Sequence, residues 1–299
     1  RISKLVIKVT SFKTNTYSIK SEGKSFYWAS FFLPKKNRIA ASRLYSICRY
    51  LDDVADNSKL DTSSQIKNIF NQIKENESSE INIFFKKNNI NLGILKDLID
   101  GLISDQQNVR VTDEKELIDY SYKVAGTVGL MMLPIINTKD AEARKHAIDL
   151  GIAMQLTNIA RDVYEDAKMN RLYLPKEWLG QVSISDLIDN KLDDQKKKLI
   201  ELSIKNLIEL SDKFYANGFS GMKFIPLRTR LAIFFAAKIY KGIGEKIKSD
   251  GYVYKLERIY LNKLEKLWIT IISIPEFLFL KNIFKSYKPI RGSFKNENI

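Results

Sequence analysis

Residues 141–166 read Ala141-Glu-Ala-Arg-Lys-His-Ala-Ile-Asp-Leu-Gly-Ile-Ala-Met-Gln-Leu-Thr-Asn-Ile-Ala-Arg-Asp-Val-Tyr-Glu-Asp166, and the chain continues through Arg171-Leu-Tyr-Leu-Pro175. Ile148, Ile152, Met154, Leu156 and Ile159 recur at helical steps. Gly151, Gln155, Asn158, Asp162 and Asp166 fall on one face at three- and four-residue steps. That is a polar stripe along an otherwise apolar helix. The spacing predicts one helix over 141–166, then a turn ending at Pro175. Asp162 and Asp166 are four apart and share a helical face, so both carboxylates point at the same volume. Left unneutralised, such a pair costs roughly 0.2–0.5 kcal/mol.

A second pair with this spacing, Asp52 and Asp56, closes an earlier helical pattern over about 36–56. A lone Asp-x-x-x-Asp is ordinarily a solvated face. Here the spacing is duplicated, an arginine stands just upstream of each pair (Arg49 and Arg161), and the flanking positions are apolar. Two such pairs in a chain of net charge +14 imply a cationic occupant between them. The expectation is divalent ions holding a diphosphate, whose remaining oxygens Arg and Lys would clamp.

Working outward, helical patterns are expected at 65–74, 92–103, 196–216, 226–248 and 254–270. Another starts at Thr112-Asp113-Glu114, a hydroxyl and acids in the first turn. It runs into Ala125-Gly126-Thr127-Val128-Gly129, where each glycine costs about 1 kcal/mol against alanine. Close helix packing or clearance for a ligand would justify that cost. Stretches 57–64, 76–80, 104–107 and 180–196 read as polar connections, and Lys24 to Trp28 as an aromatic-rich entry. No multi-strand alternation, internal repeat or glycine-rich phosphate loop is present. The fold class is therefore all-α. Residues 1–23 form a basic arm, 24–280 one catalytic domain and 281–299 a basic tail.

Composition narrows the chemistry. The chain has 299 residues, 44% of them hydrophobic, and only six prolines. That suits one globular helical domain. Lysine and arginine are spread along the chain without a dense block, which argues against nucleic acid as a partner. One cysteine, Cys48, excludes an internal disulfide, and one histidine, His146, excludes His-rich metal sites. Cys48 reads as a small buried apolar residue and His146 as a surface or packing residue. A metal site must then rest on carboxylates, which favours Mg²⁺, with Mn²⁺ as the alternative. No apolar run reaches ~18–20 residues and 1–20 lack a signal-peptide core, so a cytoplasmic protein without a membrane span is expected. The apolar stretch Leu267 to Leu280 reads as a packed terminal helix, with a peripheral membrane contact as the alternative.

Tyr45-Ser-Ile-Cys-Arg-Tyr-Leu-Asp-Asp-Val-Ala-Asp56 resembles the first aspartate-rich motif of the squalene/phytoene synthase family. Gln155 to Asp166, continuing through Arg171-Leu-Tyr-Leu-Pro175, resembles the second. Val124 to Gly129 and Lys24-Ser-Phe26 look like further family segments, in the same order. The resemblance spans about 22–265. It implies the isoprenoid synthase helical bundle with a central apolar cavity, and head-to-head condensation of two prenyl diphosphates through a cyclopropyl diphosphate. It implies Mg²⁺ ligation by Asp52, Asp56, Asn158, Asp162 and Asp166. Diphosphate-contacting or cavity roles fall to Lys24, Tyr45, Arg49, Tyr120, Gln155, Arg161, Arg171, Tyr173, Tyr240 and Arg258. Val124, Ala125, Gly129 and Gly151 would line the prenyl tunnel. The motif forms look most like phytoene synthases, which implies geranylgeranyl diphosphate as substrate, no NADPH, and a plastid location if the source is a photosynthetic eukaryote. The alternatives are a farnesyl diphosphate-using synthase making dehydrosqualene, presqualene diphosphate or squalene, and a non-catalytic assembly relative. The intact acids at all four positions argue against the last.

Overall fold

The computed structural model describes residues 24–56, 62–106, 109–189, 192–279 and 286–290. The chain enters through α1 (Lys24–Ser30) and turns at Pro34 into α2 (Lys35–Ala55). Next come α3 (Thr62–Glu75), α4 (Glu80–Lys87), α5 (Leu92–Ser104) and α6 (Glu114–Ser121). A π-helical turn, Tyr122–Gly126, joins α6 to α7 (Thr127–Ile135). After α8 (Ala143–Arg161) come the short α9 (Val163–Lys168), α10 (Lys176–Leu179) and α11 (Ile184–Asp189). The long helices α12 (Asp194–Ser220), α13 (Leu227–Ser249) and α14 (Lys263–Leu278) complete the bundle.

Helix starts follow capping chemistry. Ser79, Asn91, Asp113 and Asp193 each accept a backbone N–H of the helix they precede. Asn262 and Glu265 form a reciprocal capping box that opens α14. The last helix therefore covers 263–278 rather than the expected 254–270. One further expectation, the purely polar connector, needs correction, and two helices lie where no helix was expected. The aromatic entry is helical (α1), the connector 180–196 contains α11, and α4 follows the polar loop 76–80. The helix expected over 141–166 is broken at Asp162, whose backbone (φ −108°, ψ 17°) leaves the helical region. Its N–H still donates to the Asn158 carbonyl and its own carbonyl accepts from Asp166 N–H, both at 2.9 Å. The kink thus costs little hydrogen bonding.

Helix α8 is the axis of the bundle. It packs against the π turn, α7, α12 and α13, with Ile152, Ala153 and Leu156 fully enclosed. His146 is buried on it and donates Nδ1–H to the Asn217 carbonyl at 2.6 Å. It is a packing residue, set beside the Phe224 and Tyr287 rings. Cys48 packs against the core, and burial with the neighbouring Asp52 pushes its thiol up to about 12, so it is no nucleophile.

The sequence showed no strands. The described residues contain one two-residue parallel bridge, Val109–Arg110 with Arg171–Leu172, in register Val109↔Arg171. Arg110 secures it by donating to the Asn170 carbonyl and side-chain oxygen, both at 2.9 Å. Asn170 sits at φ 60°, a left-handed conformation that asparagine tolerates. The bridge ties the segment after α5 to the segment after the second aspartate pair.

Candidate active site

Asp52 lies in the last turn of α2 and Asp56 caps it, donating its N–H to the Asp52 carbonyl. Asp162 and Asp166 flank the kink between α8 and α9. Each pair is met by arginine. Arg49 Nη1 and Nη2 reach Asp52 and Asp53, both at 2.8 Å. Arg171 Nη2 reaches Asp56 at 2.6 Å, across 115 positions of chain. Asp162 receives two guanidinium forks. Arg161 donates from Nε at 2.7 Å and Nη2 at 2.5 Å, and Arg258 from Nε at 2.8 Å and Nη2 at 2.9 Å. Bidentate pairs of this kind are the strong ones. Asp166 makes no ion pair among the described residues.

The two pairs share an electrostatic field through a fifth acid, Asp105, in the turn after α5. Asp105 raises the carboxyls of both Asp52 and Asp166. Burial is the larger cause, and with the neighbouring acids it lifts Asp52 to about 6 and Asp166 to about 8 against partial relief from Arg49 or Arg171. Asp105 itself is raised by burial, opposed by two phenols. Tyr120 and Tyr173 donate their hydroxyls to its two oxygens, both at 2.8 Å. Their rings stack with centroids 4.7 Å apart. Burial and the adjacent Asp105 push both phenols up, so they stay protonated donors. Arg171 Nε also donates to the Asp105 carbonyl at 3.2 Å.

An aromatic group adjoins the second pair. Phe26 contacts Tyr240 (centroids 4.9 Å) and Tyr45 (6.5 Å). Tyr240 feels Arg161, Arg258 and Asp162. The site therefore has a charged end of acids and arginines and an aromatic side of Tyr45, Phe26 and Tyr240.

A profile of the squalene/phytoene synthase family matches residues 19–265. The chain belongs to this family. As a squalene/phytoene synthase family member it is a prenyltransferase, and the family's enzymes act on prenyl diphosphates. It is similar to a 15-cis-phytoene synthase of Enterobacter agglomerans, 32% identical over 246 residues, covering 76% of this chain and 83% of that one. It is equally similar to a 4,4'-diapophytoene synthase of Staphylococcus haemolyticus, 32% identical over 265 residues, covering 83% and 90%. A crystal structure of a dehydrosqualene synthase with ligand superposes with a TM-score of 0.76 at 27% identity, covering 87% of this chain and 94% of that one.

Most of the residues that sequence reading singled out in this squalene/phytoene synthase family chain lie around the two acid pairs. Arg49, Asp52, Asp56, Tyr120, Asn158, Arg161, Asp162, Asp166, Arg171, Tyr173 and Arg258 share the charged end, and Tyr45 and Tyr240 the aromatic side. Gln155 accepts from Asn158 Nδ2 at 3.4 Å. Val124 and Ala125, in the π turn, are half-buried. Gly129 and Gly151 serve helix crossing: an added Cβ would lie 2.2 Å from the Ala147 carbonyl oxygen and 2.3 Å from that of Ala125. The Lys24 side chain lies outside the described residues. A cleft of about 540 Å³ bordered by Arg110, Leu172, Lys176 and Gly180 lies at the bridge and contains none of the acids.

The donor set suits a hard cation. All the candidate ligands are oxygens, and Asn158 Oδ1 is buried without a hydrogen-bond partner. Asp166 is a carboxyl without an ion pair among the described residues, in a crowded acidic field. Among the described residues no three carboxylates stand together as a ligand set. Each pair supplies two carboxylates, and water or substrate would complete the shell of any ion held there.

Sequence reading missed Asp105, a single acid in a polar turn with no spacing partner. Asp105→Ala is expected to destabilise the protein by about 1–3 kcal/mol, because two buried phenols lose a charged acceptor. Asp105→Asn keeps an acceptor for one of the two phenols and removes the like charge, so its loss is smaller than that of Asp105→Ala. Chemical denaturation of both variants in chelator is the check, and equal loss in both would contradict this account.

Proposed function

We propose that this enzyme condenses two molecules of geranylgeranyl diphosphate head to head, through a cyclopropyl diphosphate, to phytoene, without a reductant. The observation that carries the reading is the acid–arginine end, with its orphaned Asn158 oxygen, set against the aromatic group of Tyr45, Phe26 and Tyr240. A diphosphate and an allylic cation need these two environments side by side. Asp52, Asp56, Asn158, Asp162 and Asp166 would hold Mg²⁺, with Mn²⁺ as a substitute. The metal supplies Lewis-acid stabilisation of the leaving diphosphate, worth several kcal/mol.

The chain's own groups do the rest. Arg49, Arg161, Arg171 and Arg258 present planar forks that match phosphate oxygens as well as carboxylates. Tyr120 and Tyr173 keep their protons and hold Asp105 in place. Tyr45, Phe26 and Tyr240 offer ring faces to the allylic cation while the second substrate's double bond captures it. Proton loss then closes the cyclopropane, and a second ionisation and rearrangement end in deprotonation. The same-family alternative uses farnesyl diphosphate. The similarity to a 4,4'-diapophytoene synthase and to a dehydrosqualene synthase structure favours keeping it in view.

The test is incubation with C15 and C20 diphosphates and Mg²⁺, with and without NADPH. Phytoene from the C20 substrate, independent of NADPH, is expected. A C30 product from the C15 substrate alone, or a requirement for NADPH, would overturn the assignment. No prenyl turnover with either substrate would remove the synthase reading altogether.

A further inference from the structure

Helix α14 is amphipathic the wrong way round for a packed terminal helix. Its buried positions, Lys266, Thr270 and Ser273, are polar. Its two acids also turn inward: Glu265 pairs with Lys246 at 2.7 Å, and Glu276 pairs with Lys238, both lysines on α13. The outward face carries Leu264 (76% exposed), Trp268 (62%), Ile271, Ile272, Ile274 and Leu278 (71%), followed by Phe279. Over 263–279 the only charged residue in the exposed class is a cation, Lys263. Beyond the other end of the helix, exposed Leu227 and Arg228 open the antiparallel α13. A single-helix apolar stripe of this width, with a central tryptophan and basic residues at its ends, has the pattern of an interfacial helix.

We infer that α14 docks this protein on an anionic lipid surface, with the Leu264–Trp268–Ile271–Leu278 stripe sunk into the headgroup–acyl boundary. Charge selects this occupant. A net charge of +14 repels a second copy of the chain and attracts acidic lipid. No helix of the described residues is long and apolar enough to cross a membrane, so the contact is made along the surface. The docked helix is also continuous with the aromatic side of the site. Its Phe277 meets Phe234 (centroids 5.4 Å) and Phe235 (6.4 Å) on α13, and Phe235 meets Phe32 at 4.8 Å. Its Thr270 accepts from Trp28 of α1 at 3.2 Å, and α1 carries Phe26. Lipid would thus abut the two helices, α1 and α13, that contribute Phe26 and Tyr240. The inference rests on the exposed face and the charge, and holds whichever prenyl chain length the enzyme uses.

The test is sedimentation of the full chain with vesicles of phosphatidylcholine alone or with 30% phosphatidylglycerol added (~0.3 mole fraction, enough for an anionic surface potential). Binding to the anionic vesicles, weakened by salt, is expected. The double variant Ile271→Glu/Leu278→Glu should lower partitioning at least tenfold while keeping the helical circular dichroism and C15 or C20 turnover in detergent. Brominated lipid chains should quench wild-type tryptophan emission, and Trp268→Phe should lose that quenching. Absence of binding, or binding unchanged in the double variant, would overturn the proposal. So would a dimer in sedimentation velocity that the double variant dissolves. Trp268 emission already shielded from acrylamide without lipid would overturn it too, since residues 1–23 or a second copy would then cover the face.

Discussion

Asp166→Asn is expected to reduce turnover by at least about 10²-fold and, in chelator at pH 8.5, to make the protein more stable than wild type. The catalytic loss follows from removing one anchor of a group worth several kcal/mol, with each 1.36 kcal/mol equal to a factor of ten. The stability gain follows from the proton. Burial, then Asp162 and Asp105, lift the Asp166 carboxyl to about 8 in the folded protein, and Arg171 and Arg161 offset this only in part. In the unfolded chain it titrates near the ordinary value of about 3.9. The folded state therefore binds the proton more tightly, and metal-free stability falls as pH rises between those two values. The size is on the order of a few kcal/mol, at 1.36 kcal/mol per unit of displacement. Asp52, lifted to about 6, adds a smaller contribution of the same sign over a narrower window at lower pH. Thermal unfolding in chelator at pH 6 and 8.5 should show a wild-type decline that the variant flattens. Added Mg²⁺ should restore more stability to wild type than to the variant. A variant that is inactive and also less stable in chelator at pH 8.5 would show instead that Asp166 is a structural acid.

The same carboxyl shows what the sequence could and could not display. The two aspartate pairs were legible because helical spacing is local: four residues apart means one face, whatever the rest of the fold does. Arg49 and Arg161 were legible for the same reason. Arg171 on Asp56 was not, because 115 residues separate them and only the tertiary fold brings them together. Asp105 carried no spacing signal at all. The kink at Asp162 was hidden because the apolar rhythm and the i→i+4 ladder both pass through it. The start of α14 is set by the Asn262–Glu265 cap, nine residues after the expected one, and the apolar run from Leu267 begins inside the helix. Periodicity gives the width of that apolar stripe but not the side on which the bundle lies, so the sequence leaves both the packed reading and the membrane-contact alternative open.

Gly151→Ala is expected to lower stability by about 1–3 kcal/mol or more, the usual cost of overpacking, and to depress the melting temperature by several degrees. The new methyl would sit 2.3 Å from the Ala125 carbonyl oxygen and 2.9 Å from the Gly126 Cα. Both neighbours are backbone, so no rotamer change relieves the clash, and α8 must move away from the π turn. One step along the same crossing, Gly129 would place a methyl 2.2 Å from the Ala147 carbonyl oxygen. The two glycines thus hold α8 at backbone contact with the π turn and with α7, Gly151 from the α8 side and Gly129 from the α7 side. Helix α8 also carries Gln155, Asn158 and Arg161, so a shift that relieves the clash should misplace the charged end and reduce turnover as well. The control is Gly244→Ala on α13, whose methyl would meet Ile208 Cδ1 at 3.5 Å and Ile208 Cγ2 and Thr157 Cγ2 at 4.0 Å, all ordinary contacts. There the lower entropy of the unfolded alanine chain favours folding by about 0.4–1 kcal/mol, so melting should stay level or rise. Calorimetry on the three proteins separates the cases. If Gly151→Ala melts with wild type and instead shortens the prenyl chain of the product, the glycine clears room for substrate and the packing account of the crossing is wrong.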